Sequence, residues 1–288
     1  MRRSLISLGL AAVFVLIWPA TALAATDPDL GSAGNFAVLS GAGMTNTGPS
    51  WITGAIGASG AGITGFPPGT AGPQHAGDSV YTTAETDLVG AFTRATQPVT
   101  TDYSNVNLGG LTLGPGVYNQ STAPTLTGTL TLSGGGVYIF LIGSTLVTAS
   151  GAQVVLINGA QPCDIFWRVS SSATIGTSTA FEGNIMALAS IQMQTGATLF
   201  GRALSRTAAV TLDTNRIIQP ANCPGNYTRS YPAPQYVGPP AGNILPAFLG
   251  IPWELLGSFP WLLVIGAGAG LGAAALVISS RRRRRRSA

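Results

Sequence analysis

The sequence predicts a mainly β fold: a parallel β-solenoid of triangular cross-section, one long α-helix packed alongside it, and a C-terminal transmembrane helix. Three observations carry this reading. Phe181-Glu-Gly183-Asn-Ile185 is echoed eighteen positions later by Leu199-Phe-Gly201-Arg-Ala203, and Ile175 aligns with Met193 and then with Thr211. A period of that size, filled with alternating β-formers and glycine corners, suits one coil with three short faces. A single segment, 79–97, breaks into helical spacing, and an apolar run, 259–280, is long enough to span a bilayer.

Arg2 and Arg3 precede an apolar stretch from Leu5 to Trp18, then Pro19 and the small-residue site Ala22-Leu-Ala24. Residues 1–25 therefore read as a secretory signal peptide, cleaved after Ala24 or Ala25, with an uncleaved anchor as the alternative. The exported domain is assigned to 26–223. Its first part holds short apolar strands punctuated by glycine, among them Phe36-Ala-Val-Leu39, Ile52-Thr-Gly-Ala-Ile56 and Ile63-Thr-Gly65. Between Ser79 and Thr100 the apolar residues Val80, Ala84, Leu88, Ala91, Phe92 and Ala95 fall at helical intervals, and Pro98 ends the pattern. A lone helix in a β protein must bury that stripe against the sheet, so it is expected along one solenoid face. Strand patterning returns from Leu108 to Ile218, including Leu126-Thr-Gly-Thr-Leu-Thr-Leu132 read as one strand.

Residues 224–258 are rich in proline and lack periodicity, which suits an extended stalk. The apolar run 259–280 ends at six arginines, Arg281 to Arg286, within the tail 281–288. The positive-inside rule places those arginines in the cytoplasm and the domain outside, as a single-pass protein of the cell membrane.

Charged residues make up 8% of the chain, and there is no lysine. Between Thr26 and Pro260 six arginines stand against all ten acids, so the exported part offers no basic patch to a nucleic acid. Cys163 and Cys223, the two cysteines, most simply form one disulfide in an oxidising compartment. Two cysteines and the single His75 are too few for a metal site, and no cofactor is expected. Asp164, Glu182 and Asp213 are scattered over the repeat, and His75 sits in a Gly/Pro loop without a serine–carboxylate context, which argues against an enzyme.

Several segments resemble, in order, the microbial ice-binding proteins. They are Leu30-Gly-Ser-Ala-Gly-Asn-Phe-Ala-Val-Leu39, Thr45-Asn-Thr-Gly48 with Ile52-Thr-Gly54, Leu113-Gly-Pro-Gly-Val-Tyr118, Ile165 to Ile185, Gly196 to Leu204, and Ala209-Val-Thr-Leu212. The resemblance implies a discontinuous, right-handed β-solenoid with a flanking helix, no enzymatic activity, and an ice crystal surface as partner. Two departures stand out: Gly54-Ala-Ile-Gly57 lacks a polar corner residue, and Gln192 replaces the threonine of a usual Ser-Ile-Thr rung, where it would interrupt an outward threonine ladder.

The family's ice-binding faces carry short runs of threonine, a small residue, any residue, then threonine or asparagine. Thr195-Gly-Ala-Thr198 matches that pattern; Thr177-Ser-Thr179 precedes it by eighteen positions, and Thr148-Ala-Ser150 is placed on an earlier rung. The candidate ice-binding residues are thus Thr148, Ser150, Thr177, Thr179, Thr195 and Thr198. Thr125, Thr127, Thr129 and Thr131 are further outward candidates, expected beside the helix. Membrane tethering favours ice adhesion over a freely diffusing antifreeze. A general surface adhesin for carbohydrate or another cell remains the alternative, favoured if aromatics line an outward face.

Overall fold

The computed structural model describes residues 24–220, apart from 61 and 124. Cys223, most of the signal segment, the stalk, the apolar run 259–280 and the arginine tail lie outside the described residues. Among the described residues no helix is long and apolar enough to cross a membrane.

Short strands pair in parallel and stack as coils. Three faces follow from the pairing. The helix face stacks, in order, Gln74–Ala76, Ala55–Ala58, Phe36–Ser40, Thr198–Ser205, Ala180–Ala187, Ile165–Val169, Tyr138–Ile142, Gly116–Gln120 and Thr101–Asp102. A second face is built from Thr112–Leu113, Thr129–Ser133, Gln153–Ile157, the opening residues of Ala180–Ala187 and Thr198–Ser205, then Arg216–Ile218 and Trp51–Thr53. The third is a separate seven-stranded sheet: Thr125–Leu126, Leu146–Thr148, Ala173–Ile175, Ile191–Met193, Val210–Asp213, Met44–Thr47 and Ile63–Thr64.

The stack is not in chain order. Phe36–Ser40, the first strand, pairs with Thr198–Ser205 near the end of the domain, Val38 opposite Ala203 and Leu39 opposite Leu204. The N-terminal coils thus continue the stack where the C-terminal coil stops. Helix α1, Ser79–Arg94, then carries the chain back along the stack; sixteen residues reach about 24 Å at about 1.5 Å each. Its N-cap Asp78 accepts from the Tyr81 amide at 2.8 Å, and that bond, with the His75 ring 2.7 Å away, holds the carboxyl below its usual range.

The helix ends three residues earlier than the spacing predicts, with Ala95 as its C-cap. Its buried stripe is Tyr81, Ala84, Leu88, Ala91, Phe92 and Ala95. Val80, expected in that stripe, is 48% exposed, and Tyr81 takes its place because its hydroxyl can donate to the Ser40 carbonyl at 3.1 Å inside the contact. The stripe meets Leu39, Val117, Ile139, Phe166, Met186 and Leu204 from six strands of the helix face. Burying each such side chain contributes about 1.5–3 kcal/mol.

The eighteen-residue echo is a true register: Phe181 lies opposite Leu199, Gly183 opposite Gly201 and Ile185 opposite Ala203. Gly183 and Gly201, both at positive φ, let these two long strands bend from one face to the next; a methyl at Gly201 would strike the Gly183 carbonyl oxygen. Ile175 does pair with Met193, but Thr211 pairs with Gln192, one position from the expected alignment, because this coil is nineteen residues long. The segment 126–132 is not one strand: Gly128, at φ +88°, turns the chain between the third and second faces. Thr125 therefore faces out from the third face, and Thr129 and Thr131 from the second, neither beside the helix.

Inside the coils an aromatic column runs along the axis. Ring centroids are 5.9 Å apart from Tyr103 to Tyr118, 5.3 Å to Phe140, 4.0 Å to Trp167 and 4.9 Å to Phe181. The Trp167 indole N–H donates to the Glu182 carbonyl at 3.0 Å, so the largest ring in the core leaves no orphan donor. Where the first and last coils meet, buried Arg202 donates to the Gly34 carbonyl at 2.8 Å and to Asn184 Oδ1 at 2.9 Å. Burial pushes its pKa down to about 10, and these bonds compensate the desolvated cation. Cys163 lies in the short turn Pro162–Asp164, nearly buried.

Candidate functional site

Of the three faces the helix covers one, leaving two broad surfaces for recognition. On the third face, alternation sends Leu126, Leu146, Ala173, Ile191, Val210 and Met44 inward, which forces their neighbours outward. The outward row, read rung by rung, is Thr125, Val147, Thr174, Gln192, Thr211, Thr45 and Thr64. Five of its seven positions are threonine. At about 4.8 Å per rung the row is about 29 Å long. Gln192 interrupts it in mid-ladder, as its replacement of a threonine implies. Beside it runs a second hydroxyl pair, Ser190 donating to Ser172 at 2.9 Å, and Thr47 extends the surface on the other side. No aromatic or arginine side chain interrupts this outward row.

The corner after this sheet is equally regular. Gly151, Ser178, Gly196 and Thr214 all take positive φ, one per coil, so the residues before them, Ser150, Thr177, Thr195 and Asp213, occupy equivalent places. Backbone bonds step along the corner: Gly151 N donates to Thr177 O at 2.8 Å, Ser178 N to Thr195 O and Gly196 N to Asp213 O, both at 3.1 Å. The Thr177 hydroxyl is 3.4 Å from Gln194 Oε1, and the Thr195 hydroxyl donates to the Asp213 carboxylate. These side chains are held in place by partners.

The six expected site residues divide three ways. Ser150 and Thr195 are exposed at the corner, with Thr177 half-buried between them. Thr198 is exposed but begins the second face, in the outward row that contains Ala180 and Arg216. Thr148 and Thr179 face inward, 3% and 0% exposed. Their hydroxyl oxygens lie 3.1 Å apart, Thr148 Oγ1 accepts from the Gly176 amide at 2.8 Å, and Thr179 donates to the Ala149 carbonyl at 3.1 Å. These hydroxyls satisfy the backbone of a tight corner, so they cannot meet an outside surface, and both positions are corrected to structural ones.

The residues that pattern matching missed are Thr174, Thr211, Thr45 and Thr64. The signal for two of them, Thr174 and Thr211, was the spacing around Gln192, since 174, 192 and 211 are one coil apart.

The second face is different in kind. Its outward rows hold Thr129, Gln153, Ala180, Thr198, Arg216 and Trp51, and alongside them Thr131, Val155, Glu182, Phe200, Ile218 and Thr53. Trp51 and Ile157 are 48% and 41% exposed. Bulky and charged side chains make it uneven.

At the helix flank, Glu85 is half-buried with one carboxyl oxygen lacking a hydrogen-bond partner, and desolvation pushes its pKa up to about 7 against the pull of Arg206. The arginines Arg168 and Arg206 both lie over the Phe92 ring, 4.3 and 4.9 Å from its centroid. Asp164, Glu182 and Asp213 stand on a turn, the second face and the corner respectively, so they do not converge.

A family profile described as Ice-binding-like matches residues 38–218. An ice-binding protein of Nostoc sp. (strain HG1) is 46% identical over 204 residues, 68% of this chain and 76% of its own. One from Flavobacterium frigoris (strain PS1) is 36% identical over 211 residues, 67% of this chain and 76% of its own. Among solved structures, an ice binding protein from an Antarctic biological consortium aligns with a TM-score of 0.67 at 41% identity, covering 70% of this chain and 95% of that one. The ice-binding protein of Antarctomyces psychrotrophicus aligns with a TM-score of 0.67 at 40% identity, covering 68% and 100%. These relatives are ice-binding proteins and not enzymes.

Proposed function

Because this chain belongs to the ice-binding-like family, we propose that it binds ice through the threonine row of the third face and the hydroxyl-bearing corner beside it. The observation that carries this reading is the registered row Thr125, Thr174, Thr211, Thr45 and Thr64. Each threonine presents a hydroxyl and a methyl, and the parallel ladder repeats them at a rung spacing close to an oxygen repeat in ice. Methyls restrict the water above them while hydroxyls anchor it, so a layer already ice-like joins the crystal with little further ordering. Individual contacts are weak; aligned on one rigid sheet they act together. Ser150, Thr177 and Thr195 extend the surface around the corner, whereas Thr198, on the uneven face, lies outside it.

In this reading the domain is held outside the cell by the stalk 224–258 and the apolar run 259–280, so that the cell adheres to ice or shapes ice around it. The charge asymmetry at Arg281 to Arg286 supports that orientation. The deciding experiment is ice-plane labelling and thermal hysteresis with the full chain, wild type against Thr174→Tyr and Thr131→Tyr. Loss of activity in the first and retention in the second supports the third face; the reverse moves the site to the second face. A wild-type chain that neither labels nor shapes ice refutes ice binding altogether. Surface biotinylation of intact cells tests the display, and an unlabelled domain refutes it.

A further inference from the structure

We propose that the second face carries a separate binding site, for an acidic polysaccharide, centred on Trp51 and Arg216. Trp51 is 48% exposed, and it shares an outward row with Arg216, Thr198, Ala180, Gln153 and Thr129. The other members are small or neutral; only these two neighbouring rungs depart. A half-exposed indole on a rigid sheet gains nothing from water and offers a large apolar plane to a ligand.

The Arg216 guanidinium carbon lies 4.6 Å from the Trp51 ring centroid, so charge and ring form one unit. Among the described residues no carboxylate pairs with Arg216. Asp213, the acid nearest in sequence, accepts instead from the Thr195 and Thr214 hydroxyls. On the side of the indole away from Arg216, the bridge partner is Thr70, an exposed residue with a much shorter side chain. The ring therefore has an open flank.

A ring beside an unpaired, planar cation suits a sugar ring that carries a carboxylate. The pyranose lies on the indole, and the uronate takes the guanidinium fork. Thr198 and, beyond the small Ala180, Gln153 and Thr129 then offer hydroxyl and amide groups along which a linear polymer can run. The same two side chains make this face unsuited to ice, since they stand above the level of the threonines beside them. The two activities therefore separate by face, and this site does not rest on the ice reading.

The test is retention of the full chain on immobilised alginate, with neutral dextran as control. Wild type is expected to bind alginate, release it as salt rises and ignore dextran. Trp51→Ala and Arg216→Gln should each weaken retention at least tenfold while ice shaping and the thermal midpoint stay unchanged; Trp51→Tyr should keep most of it. Equal retention on dextran overturns the uronate assignment, and unchanged alginate retention in Arg216→Gln overturns the site. The Arg216 side chain is exposed and makes no hydrogen bond or ion pair among the described residues, so that variant remains informative even if Trp51→Ala fails to fold.

Discussion

Replacing Thr174 by tyrosine sets a ring above the middle of the threonine row, between Val147 and Gln192. The ring projects past the methyl and hydroxyl level of the row's threonines and lifts a crystal plane off the adjoining rungs. Each threonine methyl that leaves water contributes about 0.6 kcal/mol, from about 25 Å² at about 25 cal/mol per Å². Losing position 174 and the equivalent of two neighbours removes about 2 kcal/mol, or about a twentyfold weaker adsorption. Thermal hysteresis measured against concentration reads this directly: the Thr174→Tyr curve should shift to about twentyfold higher protein. Thr174→Ser keeps the hydroxyl and loses one methyl, so its shift should be about threefold. A Thr174→Tyr protein with wild-type hysteresis and an unchanged thermal midpoint would refute the assignment of this face.

Gly201→Ala should destabilise the domain by about 2–4 kcal/mol, because the added methyl meets the Gly183 carbonyl and φ is unfavourable, +151°; denaturant titration should show a lower midpoint. Glu85 has a folded pKa of about 7, above its ordinary 4.5. Its contribution is therefore complete below about pH 4.5 and lost as pH rises through 7. Thermal melts from pH 5 to pH 8 should show a loss worth about 1–2 kcal/mol after solvent screening of this half-exposed group, and Glu85→Gln should flatten that slope. If Cys163 and Cys223 are joined, reduction or Cys163→Ser should lower stability by about 3–4 kcal/mol in the chain-entropy model, and intact mass should rise by two hydrogen atoms on reduction. An unchanged mass would dismiss the pairing.

The repeat at 181–185 and 199–203 was legible because those coils have equal length, so sequence offset equals structural register. The helix was legible because its apolar period differs from that of every strand around it. The threonine row was not, since its rungs are unequally spaced in sequence: Val147 to Thr174 spans twenty-seven residues and Gln192 to Thr211 nineteen. Thr45 and Thr64 join it only through the closure of the first coils onto the last. Thr148 and Thr179 misled for another reason. A threonine at a corner can serve the backbone as well as solvent, and the Gly176 amide decides which.

That closure has a consequence for biosynthesis. Thr211, synthesised late, sits between Gln192 and Thr45, synthesised early. A chain still being synthesised holds two separate half-surfaces, and its earliest strands wait with an open edge until the final coil arrives. Premature termination would leave both halves too short to grip a crystal, so competence to bind arrives all at once, with the last coil.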